Sequence, residues 1–190
     1  MPDRLLHFRR PTLDDARTIL DWRTDPEISR HMFSDITYDL DKQRAWITSI
    51  SQRSDYRHFI IGTEGRSIGY LSYSQIDSHN GHCVPGFYVG DRDARTSAAS
   101  YLHWFIMDYA FFGMGMNKVI SQVMDCNTRM AKSLRLLKER EVGIYRRHIR
   151  KADGYHDVHV FELMREEWET HPRLFPLEQT LGAFEESTAT

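Results

Sequence analysis

Residues 86–127 read GFYVGDRDARTSAASYLHWFIMDYAFFGMGMNKVISQVMDCN, and the order of patterns within them decides the fold. Val84-Pro85-Gly86-Phe87-Tyr88-Val89 is a short apolar and aromatic run stopped by Gly90, which reads as a strand. Residues 91–96 form a polar turn with two arginines, after which Ala98, Leu102, Phe105, Ile106, Tyr109 and Ala110 recur at helical spacing and predict a helix over 94–112. A further strand is predicted over 118–124, and Asn127 stands before the next helix. A helix N-terminus presents unpaired backbone N–H groups and a partial positive charge, so the loop feeding it can cradle a pyrophosphate-sized anion. Arg92 and Arg95 would add charge-assisted contacts. Strand, loop and helix also follow one another in ordinary crossovers with solvated arginines, so the flanking sequence has to decide.

Working outward, 5–8 reads as a first strand, and Pro11-Thr12 leads into a helix whose Asp14 and Asp15 suit its positive end. That helix ends near Asp25-Pro26, because the residue before proline is pushed out of the helical region. A second helix is predicted over 40–50, with a loop at 53–56. Residues 58–63 and 67–76 read as a hairpin around Glu64-Gly65-Arg66, followed by a strand over 81–89. A helix over 128–140 and a second hairpin, 143–150 with 156–164 around Ala152-Asp153-Gly154, complete the pattern. The class is α+β, with a mixed, mostly antiparallel central sheet flanked by helices.

The chain has 190 residues, 41% of them hydrophobic, enough for one domain with a substantial core. That domain is expected over 1–170, with a C-terminal extension over 171–190 whose polar last residues would be disordered. A formal net charge of −2 gives no basic footprint and argues against nucleic acid as a partner. Cys83 and Cys126 are too few for a disulfide scaffold, no run of about 18 apolar residues occurs, and the start of the chain lacks an apolar leader. A cytoplasmic protein without a membrane partner is the expectation. His148, His156 and His159 do not make a metal site on spacing, since His156 and His159 fall on opposite faces of a strand, so no metal is expected.

The marks spread over 6–168 resemble the GNAT superfamily of N-acetyltransferases, in the branch holding ribosomal-protein and amino-sugar acetyltransferases. Leu6-His7-Phe8-Arg9-Arg10-Pro11 with Asp14-Asp15-Ala16 resembles its first strand and helix, and Trp22-Arg23-Thr24-Asp25-Pro26-Glu27 resembles its "WRN-D-P-E" segment. Arg57-His58-Phe59-Ile60-Ile61 and Ser67-Ile68-Gly69-Tyr70 resemble the central hairpin. Asp125-Cys126-Asn127 matches the Asn after the fifth strand, and Asp153-Gly154-Tyr155-His156-Asp157-Val158 with Leu163-Met164-Arg165-Glu166-Glu167-Trp168 matches the closing hairpin. Trp22-Arg23, Arg30-His31-Met32-Phe33, Gly86-Phe87-Tyr88 and a glycine-poor phosphate loop are most similar to the UDP-4-amino-sugar N-acetyltransferases of pseudaminic acid biosynthesis, which serve flagellin glycosylation.

The resemblance implies acetyl-CoA as cofactor, a pair of strands splayed at its cleft, and possible homodimers. Phe87, Tyr88 and Val89 would receive the pantetheine like an added strand, with Asn127, Met130 and Ser133 across the cleft. Arg92, Arg95, Thr96, Ser97 and Ala98 would meet the pyrophosphate. Arg95 stands where relatives have the loop's first glycine, so it either turns outward or grips the phosphate. Leu134 stands where many relatives have the tyrosine that protonates the thiolate, which leaves Ser133 as the nearest donor. For the catalytic set the candidates are Tyr88, His82 as a base because imidazole titrates near neutrality, and Ser133. Trp22, Arg23, Arg30, Met32, Phe33 and Tyr88 would line the acceptor pocket, arginines on a diphosphate and aromatic faces on a ring. Each has a plainer alternative: Asn127 as a helix cap, Trp22 and Phe33 as core, the arginines as solvated surface. Three functions remain open at this point. They are acetylation of the 4-amine of a UDP-linked deoxy amino sugar, acetylation of a protein N-terminus, and silent acyl-CoA binding.

Overall fold

The computed structural model describes residues 6–63, 65–95 and 101–185. In chain order the elements are β1 (His7–Arg9), a 3-10 turn (Leu13–Asp15), α1 (Ala16–Thr24), α2 (Pro26–Ser29), α3 (Leu40–Ser51), β2 (Arg57–Thr63), β3 (Arg66–Asp77) and β4 (His82–Val89). Then follow α4 (Leu102–Asp108) running into a π turn (Tyr109–Gly113), β5 (Lys118–Met124), α5 (Thr128–Leu136), β6 (Arg140–Lys151), β7 (Gly154–Met164), α6 (Arg165–Glu169) and α7 (Leu177–Gly182). The seven strands form one sheet in the order β1-β2-β3-β4-β5-β7-β6. Every neighbouring pair is antiparallel except β4 with β5. The α+β class with a mixed, mostly antiparallel sheet is borne out.

The period of two along a strand sends alternate residues to two cores. On β2, Phe59 and Ile61 join Leu102, Phe105 and Ile106 of α4 on one face, while Ile60 joins Ala16 and Ile19 of α1 and Ile47 of α3 on the other. α5 packs Ala131 and Leu134 onto Val123 of β5 and Phe161 of β7.

Several boundaries depart from the sequence pattern for local reasons. The chain does not merely stop at Asp25-Pro26: the Asp25 carboxylate accepts the Glu27 N–H at 2.9 Å and Pro26 opens a one-turn helix. Of the helix expected over 94–112, residues 102–108 are α-helical and 109–113 form a π turn closed by Met114 N–H on Tyr109 O at 2.8 Å. The helix expected to reach Arg140 ends at Leu136, because Lys138 turns left-handed (φ +62°) and Arg140 already belongs to β6.

Beyond β7 the chain folds back over the first strand. Asp108, fully buried, accepts Trp168 Nε1 at 2.8 Å, Arg173 Nη2 at 2.5 Å and Thr180 Oγ1 at 2.5 Å. Phe184 stacks on Phe8 with ring centroids 4.1 Å apart. No helix among the described residues is long and apolar enough to cross a membrane.

Candidate active site

β4 and β5 pair only at His82 with Lys118 and Cys83 with Val119. Beyond those two steps the strands diverge, and the β5-facing edge of β4 has no strand partner among the described residues. A cavity of about 830 Å³ runs through the opening. Its walls on the α4 and α5 face include Phe87, His103, Ile106, Met107, Ser121, Val123, Asn127, Met130 and Leu134. On the α1 and α3 face they include Arg23, Met32, Phe33, Gln43, Trp46, Tyr56, Tyr70 and Tyr88. A cofactor on one face and an acceptor on the other can therefore meet through the sheet, with an unpaired strand edge to take an extended amide chain between them. The residues present fit a pantetheine.

Tyr88 leaves β4 toward α1, stacks on Tyr70 with centroids 5.7 Å apart, and meets Trp22 edge-on at 6.3 Å. Burial raises its phenol well above the ordinary value, so it stays protonated and can donate but not act as a base. Tyr70 in turn meets Nδ1 of buried His58 at 3.0 Å, and burial pushes that imidazole down to about 4. The segment carrying Met32 and Phe33 is fastened from the far edge of the sheet. Lys151 of β6 donates Nζ to Ser29 O at 3.1 Å and Met32 O at 3.0 Å, and pairs with Asp35.

Deep in the α4 face His103 Nε2 lies 3.4 Å from Glu139 Oε1. Burial pushes the His103 imidazole down to about 3 and the Glu139 carboxyl up to about 7. Neither was visible as a pair in the sequence.

The sequence profile of the acetyltransferase (GNAT) domain family matches residues 5–137. The chain belongs to the GNAT family. It is an acetyl-CoA-dependent N-acetyltransferase. It is 25% identical over 169 residues to an uncharacterized N-acetyltransferase p20 of Bacillus licheniformis, covering 86% of this chain and 94% of that one. Among solved structures it is similar in fold to a spermidine N-acetyltransferase from Vibrio cholerae in complex with CoA and spermine, with a TM-score of 0.81, 16% identity, and 87% and 99% of the two chains covered. A probable GNAT-family acetyltransferase from Chromobacterium violaceum aligns with a TM-score of 0.75 at 17% identity over 89% of this chain and 92% of its own.

Within the acetyltransferase, Arg23, Met32, Phe33, Phe87, Tyr88, Asn127 and Met130 are brought to the one cavity, whereas Trp22, Arg30, His82, Val89, Arg92, Arg95 and Ser133 are not among its walls. Trp22, half-buried, lies on the backbone of Gly90 instead. Arg30 is not itself a wall but donates Nε at 3.1 Å to Nε2 of His31, which is one. His82 sits at the closed end of the splay, beside Asp77 at 3.8 Å and about 20 Å along the strand from Tyr88, so it cannot serve as the base expected of it. Ser133, half-buried, donates back to Arg129 O at 3.1 Å and is not a wall of the cavity, whereas its neighbour Leu134 is, so the helix turns Ser133 away from the opening. Asn127 caps α5, its side chain accepting Met130 N–H at 3.3 Å, and also lines the cavity, so cap and wall hold together.

Arg95 neither turns outward nor stands free for a phosphate. It donates Nε to Val89 O at 3.0 Å and Nη2 to Asp25 at 3.2 Å, and pairs with Glu27, tying the loop to α2. Arg92 is largely exposed, 3.6 Å from Asp25. Thr96, Ser97 and Ala98 lie outside the described residues. Sequence reasoning missed Gln43 and Trp46, although Gln43, Trp46, Ile47 and Ile50 recur at helical spacing and mark one face of α3. Asp125, Cys126 and His156 offer ligand-type atoms within 4.8 Å of one another, a juxtaposition their spacing hides. Both ring nitrogens of His156 are held by carboxylates, Asp125 and Asp153, each at 2.9 Å.

Proposed function

We propose that this acetyltransferase moves acetyl from acetyl-CoA to the 4-amine of a UDP-linked deoxy amino sugar, by direct attack of the amine on the thioester. The observation that carries the reading is the make-up of the acceptor-side wall: a guanidinium, Arg23, among the aromatic faces of Phe33, Trp46, Tyr56 and Tyr70. Aromatic faces cover rings and a guanidinium grips phosphate oxygens. The thioester sits at the open edge of β4, where a backbone N–H of Tyr88 or Val89 takes the carbonyl oxygen and steadies the charge that develops on it. Asn127 and Met130 hold the pantetheine, and Arg92 meets the pyrophosphate from the loop. The amine loses its proton to water and the thiolate takes one from solvent, since Leu134 offers none. Catalysis is then chiefly positioning. Work as a cytoplasmic homodimer belongs to the same reading.

Release of CoA thiol, followed with acetyl-CoA against UDP-4-amino sugars, peptides with free N-termini and spermidine, tests it. Turnover on the UDP-amino sugar alone supports the proposal. Robust turnover on a ribosomal-protein peptide or on spermidine, with UDP-amino sugars inert, overturns it.

A further inference from the structure

Three polar groups on the acceptor side of the cavity are buried and lack a hydrogen-bond partner: Arg23 Nη1, Gln43 Nε2 and the Tyr88 hydroxyl. They come from α1, α3 and β4, elements that the sequence does not juxtapose. Arg23 is held in place by its other nitrogen, Nη2 donating to Ser34 O and Ser34 Oγ, both at 3.1 Å. Gln43 is only 8% exposed. Leaving a buried donor unpaired costs about 1–3 kcal/mol, more for a charged one, so three on one wall point to something that completes them.

All three can donate, and two of them can only donate through the atom concerned. The complementary ligand is rich in acceptor oxygens and carries negative charge. The acids on the same cavity do not change that sign. Asp35 is paired with Lys151, and Asp39 caps α3 and sits 3.2 Å from Lys42. Those are the carboxylates among the cavity's described walls, which also carry Lys42 and His31. A polycationic acceptor meets an unpaired guanidinium there and no unpaired carboxylate.

We propose that Arg23, Gln43 and Tyr88 form an oxyanion subsite that reads a phosphate or carboxylate group on the acceptor and rejects polyamines. This deepens the acceptor reading above and rests on its placing the acceptor on the α1 and α3 face. It does not require that the acceptor be a nucleotide sugar.

The experiment is isothermal titration of the protein saturated with CoA, so that the cofactor's own phosphate site is filled. The probes are UDP for the phosphate source, citrate for the carboxylate source, and spermidine. The expected result is that UDP or citrate binds and spermidine does not. Arg23→Gln then weakens the bound anion by about tenfold or more, and Gln43→Leu and Tyr88→Phe each by about threefold or more, the range for losing one charged or neutral hydrogen bond. CoA affinity and melting temperature serve as the folding control; if Arg23→Gln fails it, Gln43→Leu and Tyr88→Phe decide. Binding of citrate but not UDP keeps the subsite and removes the nucleotide-sugar reading. Failure of both anions at millimolar concentration overturns the subsite, as does spermidine binding that Arg23→Gln leaves unchanged or strengthens.

Discussion

Gly90 and Trp22 touch so closely that a Cβ built on the glycine falls 2.3 Å from three atoms of the indole ring. The contact joins the end of β4, where the phosphate loop departs, to the helix that carries Arg23. Gly90→Ala must displace the ring or the strand, and overpacking of this kind costs about 1–3 kcal/mol. A melting temperature lower by several degrees is expected, together with a raised Michaelis constant for the acceptor, because Arg23 moves with Trp22. Gly143→Ala, whose added methyl meets open space, is the control. Equal melting temperatures for the two variants would remove the packing argument.

The two loop arginines differ in what already occupies them. Arg95 is neutralised by Asp25 and Glu27, while Arg92 is 73% exposed beside Asp25. Arg92→Ala should weaken CoA binding by about 1–2 kcal/mol, the scale of one charged contact, and by less in high salt. Arg95→Ala should chiefly lower thermal stability, with the smaller change in CoA affinity. The reverse ranking in a CoA titration would mean that Arg95 leaves its carboxylates to grip phosphate.

Lys151 reaches across the cavity's edge to hold Ser29 O, Met32 O and Asp35 with a side chain only 8% exposed. Lys151→Met keeps the stem and removes the donors. The Michaelis constant for the acceptor should rise severalfold while CoA affinity stays unchanged, because the freed segment carries Met32 and Phe33. An equal loss of both would show a global defect instead.

Ser133→Ala should leave turnover within about twofold of the parent, since removing a general acid costs about a hundredfold or more and the Ser133 hydroxyl donates to Arg129 O outside the cavity walls. A large loss would place that hydroxyl at the thiolate in the working enzyme.

How much of this was legible depends on whether residues share a period. The β4, loop, α4, β5, Asn127 order is written in apolar runs and helical spacing, and family motifs place the hairpins on either side. Phe87, Tyr88, Asn127 and Met130 reach the cavity because strand and helix geometry fix them. What the sequence hides is contact between elements far apart in the chain. Nothing in the spacing of Arg95 and Asp25, of Lys151 and Asp35, or of Arg23, Gln43 and Tyr88 announces that they meet. Ser133 and Leu134 show the limit from the other side: adjacent positions on a helix differ by about 100°, so Leu134 lines the cleft and Ser133 does not.

The buried pair His103 and Glu139 makes a prediction about pH. Burial raises the Glu139 carboxyl from 4.5 to about 7, so the folded protein binds this proton more tightly than the unfolded chain does. The stability this contributes is fully present below 4.5 and is lost as pH rises through about 7. His103 is pushed the other way, from 6.5 to about 3, so its contribution is fully present above 6.5 and is lost only as pH falls. His103 finishes titrating in the unfolded chain between about pH 6.5 and 8, and comparison with Glu139→Gln, which keeps His103, isolates the slope of Glu139. Between about pH 6.5 and 8 the parent should lose roughly 1 kcal/mol relative to Glu139→Gln, which has no proton to give up. Urea unfolding of both proteins across that window measures it, the difference cancelling the other histidines. Parallel stability curves would mean that Glu139 is already ionised in the folded state, held by a proton on His103.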